Sequence, residues 1–492
     1  MNGKSKQEKI VLGLKIRQLR EDQGFSASEM SKKAKISTSY LNEIEKGKKY
    51  PKPQKLKLLS AALGVDYNRL TNGKLPPNFE PILRLLESNF LNDLPLDLFK
   101  IDLPKVVELI ADAPAQVGAF ISTMVDLSQN YALQRESFYF AALRSYLELH
   151  DNYFEEIEAA VRDFVTQYNI PTEPPIPAAQ LAQILSETYK YKIIEGGLDD
   201  YAELAKFRSV MLPKSKQLLL NSRLTDHQRA FQFGKELGFQ FLKIKERAFT
   251  SSLLRPGSFN EILNHSKSIY FAVALLMNED QVVNDLTSFF KQATWQPDAL
   301  LTIMQKYSAS PEMFYHRLTN ILPRAFALND LFFIRFLHRP AKNHFEVDRE
   351  LHLDDRRYPH RNELNEHYCR RWIGLSSLNQ LPEEATTDYQ FYIQRSRYFE
   401  TADEYLCLTI ARANYPGQKT NVSVTLGLRI DNHLKQTIQF WDDSTIPVRI
   451  VNKTCERCPI MDCRERVASP VIVEKREKSR RIEQVLEALS SK

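Results

Sequence analysis

The segment CERCPIMDC places three of the chain's five cysteines, Cys455, Cys458 and Cys463, within nine residues. A C-x2-C-x4-C spacing lets three thiolates reach one ion, which predicts a metal centre; the alternative is a set of ordinary buried thiols. Cys369, in HYCRRW, is the candidate fourth ligand, whereas Cys407 lies in the strand-like run YLCLTIA. The spacing fits neither common ferredoxin pattern, so zinc and an iron–sulfur cluster both stay open.

The positive charge of the chain is concentrated near its N-terminus. Residues 1–74 contain 17 Lys and Arg against 7 Asp and Glu, a balance of +10, whereas the whole chain carries +6. The remaining residues therefore sum to −4. A basic segment that is also patterned to fold predicts a polyanionic partner, and double-stranded DNA is the simplest one.

Length and composition limit the class of protein. With 492 residues, 43% apolar and 26% charged, the chain is expected to fold into three or four domains. No apolar run approaches the ~18 residues of a membrane span, so we expect no membrane segment. The polar start MNGKSKQEK is no secretory signal, and five cysteines make no disulfide framework. We therefore expect a cytoplasmic protein.

Helix signals divide the basic segment into short helices. A first helix is expected to end at Gly24, and Ser26 and Glu29 then form a capping box for a second helix. Ser37 caps a third helix, which Gly47 terminates. The expected bounds of the second, third and fourth helices are 27–34, 38–46 and 54–63. Two short helices joined by a three-residue turn, the second with a polar outer face, fit the major groove of DNA.

The run KIRQLREDQGFSASEMSKKAKISTSYLNEIEKGKKYPKPQKLKLLSAALGV resembles the lambda and 434 repressor family almost throughout. The positions that match its DNA contacts are Thr38, Ser39 and Glu43 for bases, Asn42 as a neighbour that can reach a base edge, and Lys46 and Lys48 for phosphates. Ala27 stands where the family commonly has a glutamine, so one contact is missing. The alternative is a helical bundle that has lost DNA binding.

Residues 71–80 read as a linker, and helical patterning then continues to about Ile170. A long helical segment is expected from Arg135 to Tyr168, and its aromatic side chains indicate core or dimer packing. The proline cluster PTEPPIP at 171–177 closes this part. A helix near 178–190 and two short strands, 209–212 and 217–220, are expected next.

A helix capped by Thr225 follows, and its surroundings resemble the ImmA/IrrE peptidase fold, in which this helix carries HExxH. Here Lys235 and Phe239 occupy the two histidine positions, and Lys267 the later acidic position. Glu236 alone remains, and a base without its metal has no polarised water to deprotonate. The pattern predicts a retained fold without peptidase activity. We expect Glu236 to be a solvated or ion-paired residue whose replacement by glutamine leaves regulation unchanged.

Together these segments resemble the short-chain fatty-acyl-responsive regulators. CERCPIMDCRER is similar to that family's cysteine motif, and Cys369-Arg-Arg-Trp372 is similar to its Cys-Pro-Leu-Trp. The resemblance implies a short-chain acyl-coenzyme A effector and, as in some members, an iron–sulfur cluster on the cysteines. Leu428 stands where the family often has another cysteine, which favours Cys369 as the fourth ligand.

The expected fold is mainly α with α+β parts. The expected domains are a five-helix lambda-repressor-like helix-turn-helix at 1–74, a helical linker or dimerisation domain at 75–172, a degenerate zincin-like domain at 173–340, and an α+β cysteine-motif sensor domain at 341–492. The sequence predicts a homodimeric, non-enzymatic transcriptional regulator that binds a pseudo-palindromic operator. Two alternatives stay open: a redox or metal sensor that uses the cysteines, and a metallopeptidase-type stress regulator, which the missing zinc ligands disfavour.

Overall fold

The computed structural model describes residues 6–71, 135–251, 256–342, 344–353, 366–381, 389–401, 403–413 and 420–490. The chain forms two compact units, Met1–Tyr146 with Arg255–Asn260 and Leu147–Leu254 with Glu261–Lys492. The predicted linker at 71–80 and most of the predicted helical linker domain fall between 72 and 134, outside the described residues. No described helix combines the length and apolar content needed to cross a bilayer.

The N-terminal end of the chain is a bundle of five short helices, as predicted. They are α1 (Lys6–Asp22), α2 (Ala27–Lys33), α3 (Thr38–Glu45), α4 (Pro53–Ala62) and α5 (Tyr67–Thr71). The predicted capping box is present, because the Glu29 backbone N–H donates to Ser26 Oγ and the Ser26 N–H donates to the Glu29 carboxylate. Ser37 caps α3 by accepting from the Tyr40 N–H, also as predicted. Local hydrogen-bond chemistry therefore sets where these helices begin.

The bundle closes around a small apolar core in which α1 and α3 approach closely. Ile16 and Ile44 are fully buried in this core, which includes residues of α1 to α4. A Cβ atom added to Gly13 of α1 would lie 2.3 Å from the Ile44 carbonyl oxygen and 2.9 Å from that of Glu45. The backbones of α1 and α3 can therefore cross as closely as they do only because residue 13 has no side chain.

The long helical segment expected from Arg135 to Tyr168 is two helices, α6 (Arg135–Leu149) and α7 (Glu155–Tyr168). The chain turns between them, where Asp151 and Asn152 both adopt a φ of 50°. Asn152 is fixed in this turn because its amide donates to Thr319 Oγ1 at 2.8 Å and its carbonyl accepts from Asn320 at 2.7 Å. The break depends on partners more than 160 residues away, which helical periodicity does not reveal.

The second unit contains a small sheet, a helical layer and a large sheet. The small sheet has the order β1-β3-β2, with β1 parallel and β2 antiparallel to β3. Its strands are β1 (Lys192–Ile194), β2 (Ser209–Leu212) and β3 (Gln217–Leu220). The helices after α7 are α8 (Ala178–Glu187), α9 (Asp226–Phe241), α10 (Phe259–Leu276), α11 (Glu279–Phe290), α12 (Pro297–Lys306) and α13 (Pro311–Phe326). The strands expected at 209–212 and 217–220 and the Thr225-capped helix are confirmed.

The large sheet has six strands in the order β5-β4-β8-β7-β6-β9, antiparallel except for the parallel pair β6–β9. They are β4 (Leu331–Arg339), β5 (His344–His352), β6 (Gln390–Tyr398), β7 (Glu404–Arg412), β8 (Asn421–Arg429) and β9 (Val448–Val451), accompanied by α14 (Ile373–Asn379), α15 (Asn432–Thr437) and α16 (Val471–Ser490). Both faces of the central strands are covered: Leu406 and Leu408 of β7 belong to the core that includes residues of α11 to α13, whereas Tyr405 and Cys407 belong to the one that includes α14. Burial on both faces explains why β7 reads as a continuous apolar run.

Candidate functional site

The outer face of α3 presents a polar surface. Thr38, Ser39 and Asn42 are exposed there, as is Lys46 at the helix end. The opposite face is packed into the bundle, with Leu41 and Ile44 fully buried. Lys48, just past the helix, is exposed too. The structure therefore brings five of the six predicted DNA-contact residues to the exposed surface around one helix, and the sixth, Glu43, is half-buried.

Two polar contacts fix α3 within the bundle. Arg20 of α1 donates to both carboxylate oxygens of Glu45, at 2.7 and 3.0 Å, and its third nitrogen donates to the Phe25 carbonyl at 2.8 Å. At the other end of α3, the Thr38 hydroxyl lies 2.8 Å from the Ser31 hydroxyl of α2. These contacts give the helix pair a fixed geometry, which recognition in a groove requires.

Glu43 has a partner that the sequence did not indicate. Lys49 Nζ lies 2.7 Å from Glu43 Oε2, and this hydrogen bond raises the pKa of Lys49. The turn at Gly47, which has a φ of 66°, brings Lys49 back toward α3, so its backbone N–H also donates to the Glu43 carbonyl. A glycine after a helix was the available signal for such a turn, although not for the pair itself.

A second cluster of candidate residues lies in the cysteine module, which consists of residues 366–372 and 452–472. An antiparallel bridge between Tyr368 and Thr454 joins the two segments. The Cys455 N–H donates to the His367 carbonyl at 2.8 Å, so Cys455 and Cys369 come from paired backbones. The structure thereby brings Cys369 to the sequence-distant cysteine motif.

Arg466 holds the loop of the cysteine motif in shape. Its guanidinium donates to the carbonyl oxygens of Cys455 at 2.7 Å, Cys458 at 2.8 Å and Ile460 at 2.7 Å. Its own N–H donates to the Cys463 carbonyl at 3.2 Å. One half-buried cation thus holds the backbone around Cys455, Cys458 and Cys463 in one conformation.

The thiols of the module influence one another electrostatically. Burial raises the pKa of Cys369 to about 11, two backbone N–H groups oppose this, and the charges of Cys458 and Cys455 raise it further. Burial also raises the pKa of Cys458, with smaller contributions from Cys463 and Cys455. Cys407 lies apart on β7, where burial raises its pKa to about 12. The backbone pairing that joins Cys369 to Cys455, together with the loop shared by Cys455, Cys458 and Cys463, places the four proposed ligands in one module, apart from Cys407.

Neighbouring thiols are not yet a coordination site. Within the described residues, which include all five cysteines, no three or more His, Cys, Asp or Glu side chains are arranged to hold a metal ion. The donor chemistry nevertheless suits a thiolate-bound metal. Arg370 Nε and Nη1 are buried without a hydrogen-bond partner, and the charge of Cys455 opposes the burial that lowers the pKa of Arg370. The Arg370 guanidinium stacks on the Phe345 ring at 4.0 Å, and its Nε and Nη1 donors suit an anionic metal–thiolate centre, which stays a prediction.

Glu236 of α9, at the position of the glutamate in the HExxH pattern, forms a buried ion pair with Arg247. Both carboxylate oxygens of Glu236 accept from Arg247, at 2.8 and 2.7 Å, and one also accepts from the Tyr191 hydroxyl at 3.2 Å. Arg247 stacks on the Phe239 ring at 3.7 Å, and the Glu236 side chain is about 2% exposed. The ion-paired alternative for Glu236 is confirmed and the solvated one is wrong.

Other groups around this pair are also buried. Burial lowers the pKa of Lys235 to about 8. On α10, burial and then the charges of Lys235 and Arg247 lower the pKa of His265 to about 3, and its ring lies 6.4 Å from that of Phe239. Sequence reasoning singled out Lys267, which is half-buried, and missed His265, two residues earlier. Two cationic side chains at this place repel a divalent metal ion.

Comparisons with known proteins give two domain families. Residues 16–70 match the helix-turn-helix family model, and residues 196–319 match the IrrE N-terminal-like domain. The predicted lambda-repressor-like and IrrE-like domains are confirmed, as is the predicted mixture of helical and α+β parts.

The relatives that match this chain are named as HTH-type transcriptional regulators. The HTH-type transcriptional regulator RamB of Mycobacterium tuberculosis is 22% identical over 329 residues, 64% of this chain and 65% of its own length. The match thus spans just under two thirds of that protein. The HTH-type transcriptional regulator SinR of Bacillus licheniformis is 33% identical over 84 residues, 17% of this chain and 76% of its own. A solved Mycobacterium tuberculosis transcriptional regulator covers 67% of this chain and 93% of its own at 16% identity, with a TM-score of 0.46.

Proposed function

The chain belongs to the helix-turn-helix transcriptional regulators, and we propose that it is a cytoplasmic homodimer whose paired α3 helices read a pseudo-palindromic operator. The observation that carries this proposal is the exposed polar face of α3 on a domain with a net charge of +10. A helix with short polar side chains outward fits the major groove, and a basic surface supplies phosphate contacts. Two half-sites need two copies, which is the reason for the homodimer.

Base-reading and phosphate-binding residues should respond differently to substitution. Replacing Thr38 and Ser39 together by alanine should reduce the preference for operator over random DNA about ten-fold or more, since each base contact contributes about 1–3 kcal/mol of discrimination. Replacing Lys46 and Lys48 should weaken binding to all sequences and reduce the salt dependence by about 0.9 per lost phosphate contact. Binding of the full chain to operator and random duplexes across a salt series measures both effects.

Lys57→Ala is the matched control for the lysine substitutions. Lys57 is exposed on α4, so its loss removes the same charge without removing a side chain at the end of α3. It should change the salt dependence less than Lys46→Ala or Lys48→Ala does. A wild-type chain that shows no preference for any operator, or whose preference survives the loss of Thr38 and Ser39, would contradict the proposal.

A short-chain acyl-coenzyme A is the proposed effector, and the proposal is supported by the resemblance of CRRW and CERCPIMDCRER to the acyl-responsive regulators. An effector acts by binding one dimer geometry better than another, because half-site spacing must match the two recognition helices. Repeating the operator titration with acetyl-, propionyl- and butyryl-coenzyme A tests this point. An operator affinity that none of them changes would remove acyl-coenzyme A from the proposal.

Metal or redox sensing by the cysteine module is a second candidate function, favoured by the backbone bridge that brings the segment of Cys369 to the loop of the other three cysteines. Serine at Cys455, Cys458, Cys463 or Cys369 should remove a metal ion or cluster and destabilise the module, since the remaining thiolates lose the cation that offsets their repulsion. Cys407→Ser is the control, and it should keep the metal content. Metal analysis and visible absorbance of protein prepared without air or chelator separate brown iron–sulfur from colourless zinc. If wild-type protein prepared in this way contained no metal, the four cysteines would be ordinary reduced thiols and this second candidate function would be contradicted.

A further inference from the structure

The helix α16 (Val471–Ser490) is attached to its unit at one end. Val473 is buried, and the Ile472 N–H donates to the carbonyl of Glu456 in the cysteine module at 3.1 Å. One turn later Arg476 lies 3.6 Å from Glu400. From residue 474 to residue 490 every side chain is exposed. An uncovered helix of this length is marginal in water, so its sequence has to provide another source of stability.

The exposed part of α16 carries an apolar stripe. Ile482, Val485, Leu486 and Leu489 follow one another at spacings of three, one and three residues and are 51–60% exposed. The other faces of this part are mostly charged or polar, as RRIEQVLEALS shows. A contiguous apolar stripe with a polar surround marks an interaction surface.

The spacing of this stripe fits a two-stranded coiled coil. With Ile482 at position d of a heptad, Leu486 takes position a and Leu489 the next d, while Ser479 takes the preceding a. The residues at b, c and f between positions 480 and 488 are then polar, except for Ala488 at c. A helix partner that packs on this stripe would cover the three largest apolar side chains at its centre.

Charge decides which helix that partner is. With the same heptad assignment, Lys478 takes position g of one heptad and Glu483 takes position e of the next. In a parallel pair of identical helices, g of one copy faces the next e of the other, so that Lys478 meets Glu483 twice by symmetry. An antiparallel pair would instead face g with g and e with e, placing like charges together.

We infer that α16 pairs with α16 of a second copy as a short parallel coiled coil. This inference rests on the proposed homodimer and specifies one of its interfaces. The first turn of α16 is bonded to the cysteine loop through Glu456, so the helix begins beside the cysteine module and the paired part follows about two turns later.

Sedimentation equilibrium of the full chain tests the interface. Leu486→Glu should weaken the dimer about a hundred-fold or more, because two carboxylates would be buried against apolar side chains. Gln484→Glu, at the outward position f, introduces the same charge and should leave the dimer unchanged. Thermal unfolding of the rest of the chain should be the same in both variants, since both side chains are exposed in one copy.

A charge exchange identifies the partner. Lys478→Glu or Glu483→Lys alone should weaken the dimer about three- to ten-fold, because like charges then face each other. The double exchange should restore it, because both partners carry the same change. A wild-type chain that is monomeric at all concentrations would overturn the inference. So would a dimer insensitive to Leu486→Glu, or a double exchange no better than the single ones, since the stripe would then be covered by another protein or another segment.

A DNA-binding measurement distinguishes failure of the α16 interface from failure of the proposed function. A monomeric Leu486→Glu variant should still bind an operator half-site at low salt, since the helix-turn-helix domain is unchanged. If the wild-type chain dimerises through α16 but binds no DNA, the proposed function fails and this interface stands. If it binds DNA but the exchange fails to restore the dimer, the interface fails and the function stands.

Discussion

Glu236→Gln should lower the free energy of unfolding of the second unit by about 3–5 kcal/mol. The substitution keeps the size of the side chain but leaves the Arg247 guanidinium buried without its counter-charge. A buried unpaired cation costs far more than the lost pair contributed. Denaturant unfolding of the full chain, followed by circular dichroism, measures the change. This result would replace the sequence-based expectation that the substitution leaves regulation unchanged.

Two further variants show whether burial is the cause. Glu195→Gln removes the carboxylate of an ion pair with Arg229 that is much more exposed, so it should change stability by no more than about 1 kcal/mol. Adding Arg247→Met to Glu236→Gln should recover part of the loss, because no unpaired charge then remains. A Glu236→Gln protein as stable as the wild type would mean that water reaches this pair in solution.

Gly13→Ala should destabilise the helix-turn-helix domain by about 1–3 kcal/mol or more and abolish operator binding with it. The added methyl group would lie 2.3 Å from the carbonyl oxygen of Ile44, the second-last residue of α3, so the two helices would have to move apart. The direction of the stability change is informative, because replacing glycine by alanine inside a helix ordinarily stabilises a protein by about 1 kcal/mol. Thermal unfolding and operator affinity of the full chain provide the two measurements.

Gln54→Ala serves as the control for this substitution. Gln54 is exposed in the first turn of α4, so its replacement should shift stability by no more than about 0.5 kcal/mol. Should Gly13→Ala instead stabilise the domain while operator binding is kept, the close crossing of α1 and α3 would be wrong.

Sequence reasoning was most accurate where the signal is local. The capping box at Ser26 and the caps at Ser37 and Thr225 place three helix starts at the observed residue. Its errors concern partners distant in sequence. The break after α6 depends on Asn152 meeting α13, and the periodicity of the two helices carries no trace of that contact.

The sequence by itself determined the helix-turn-helix domain, the polar face of α3, and the loss of the zinc ligands at Lys235 and Phe239. Capping, helical periodicity and side-chain chemistry act over a few residues, so they can be read without the fold. Only the tertiary structure shows that Arg247 donates hydrogen bonds to both carboxylate oxygens of Glu236. It also joined the segment of Cys369 to that of Cys455 through a bridge across more than 80 residues. Such contacts arise from packing, which a single chain's local pattern does not specify.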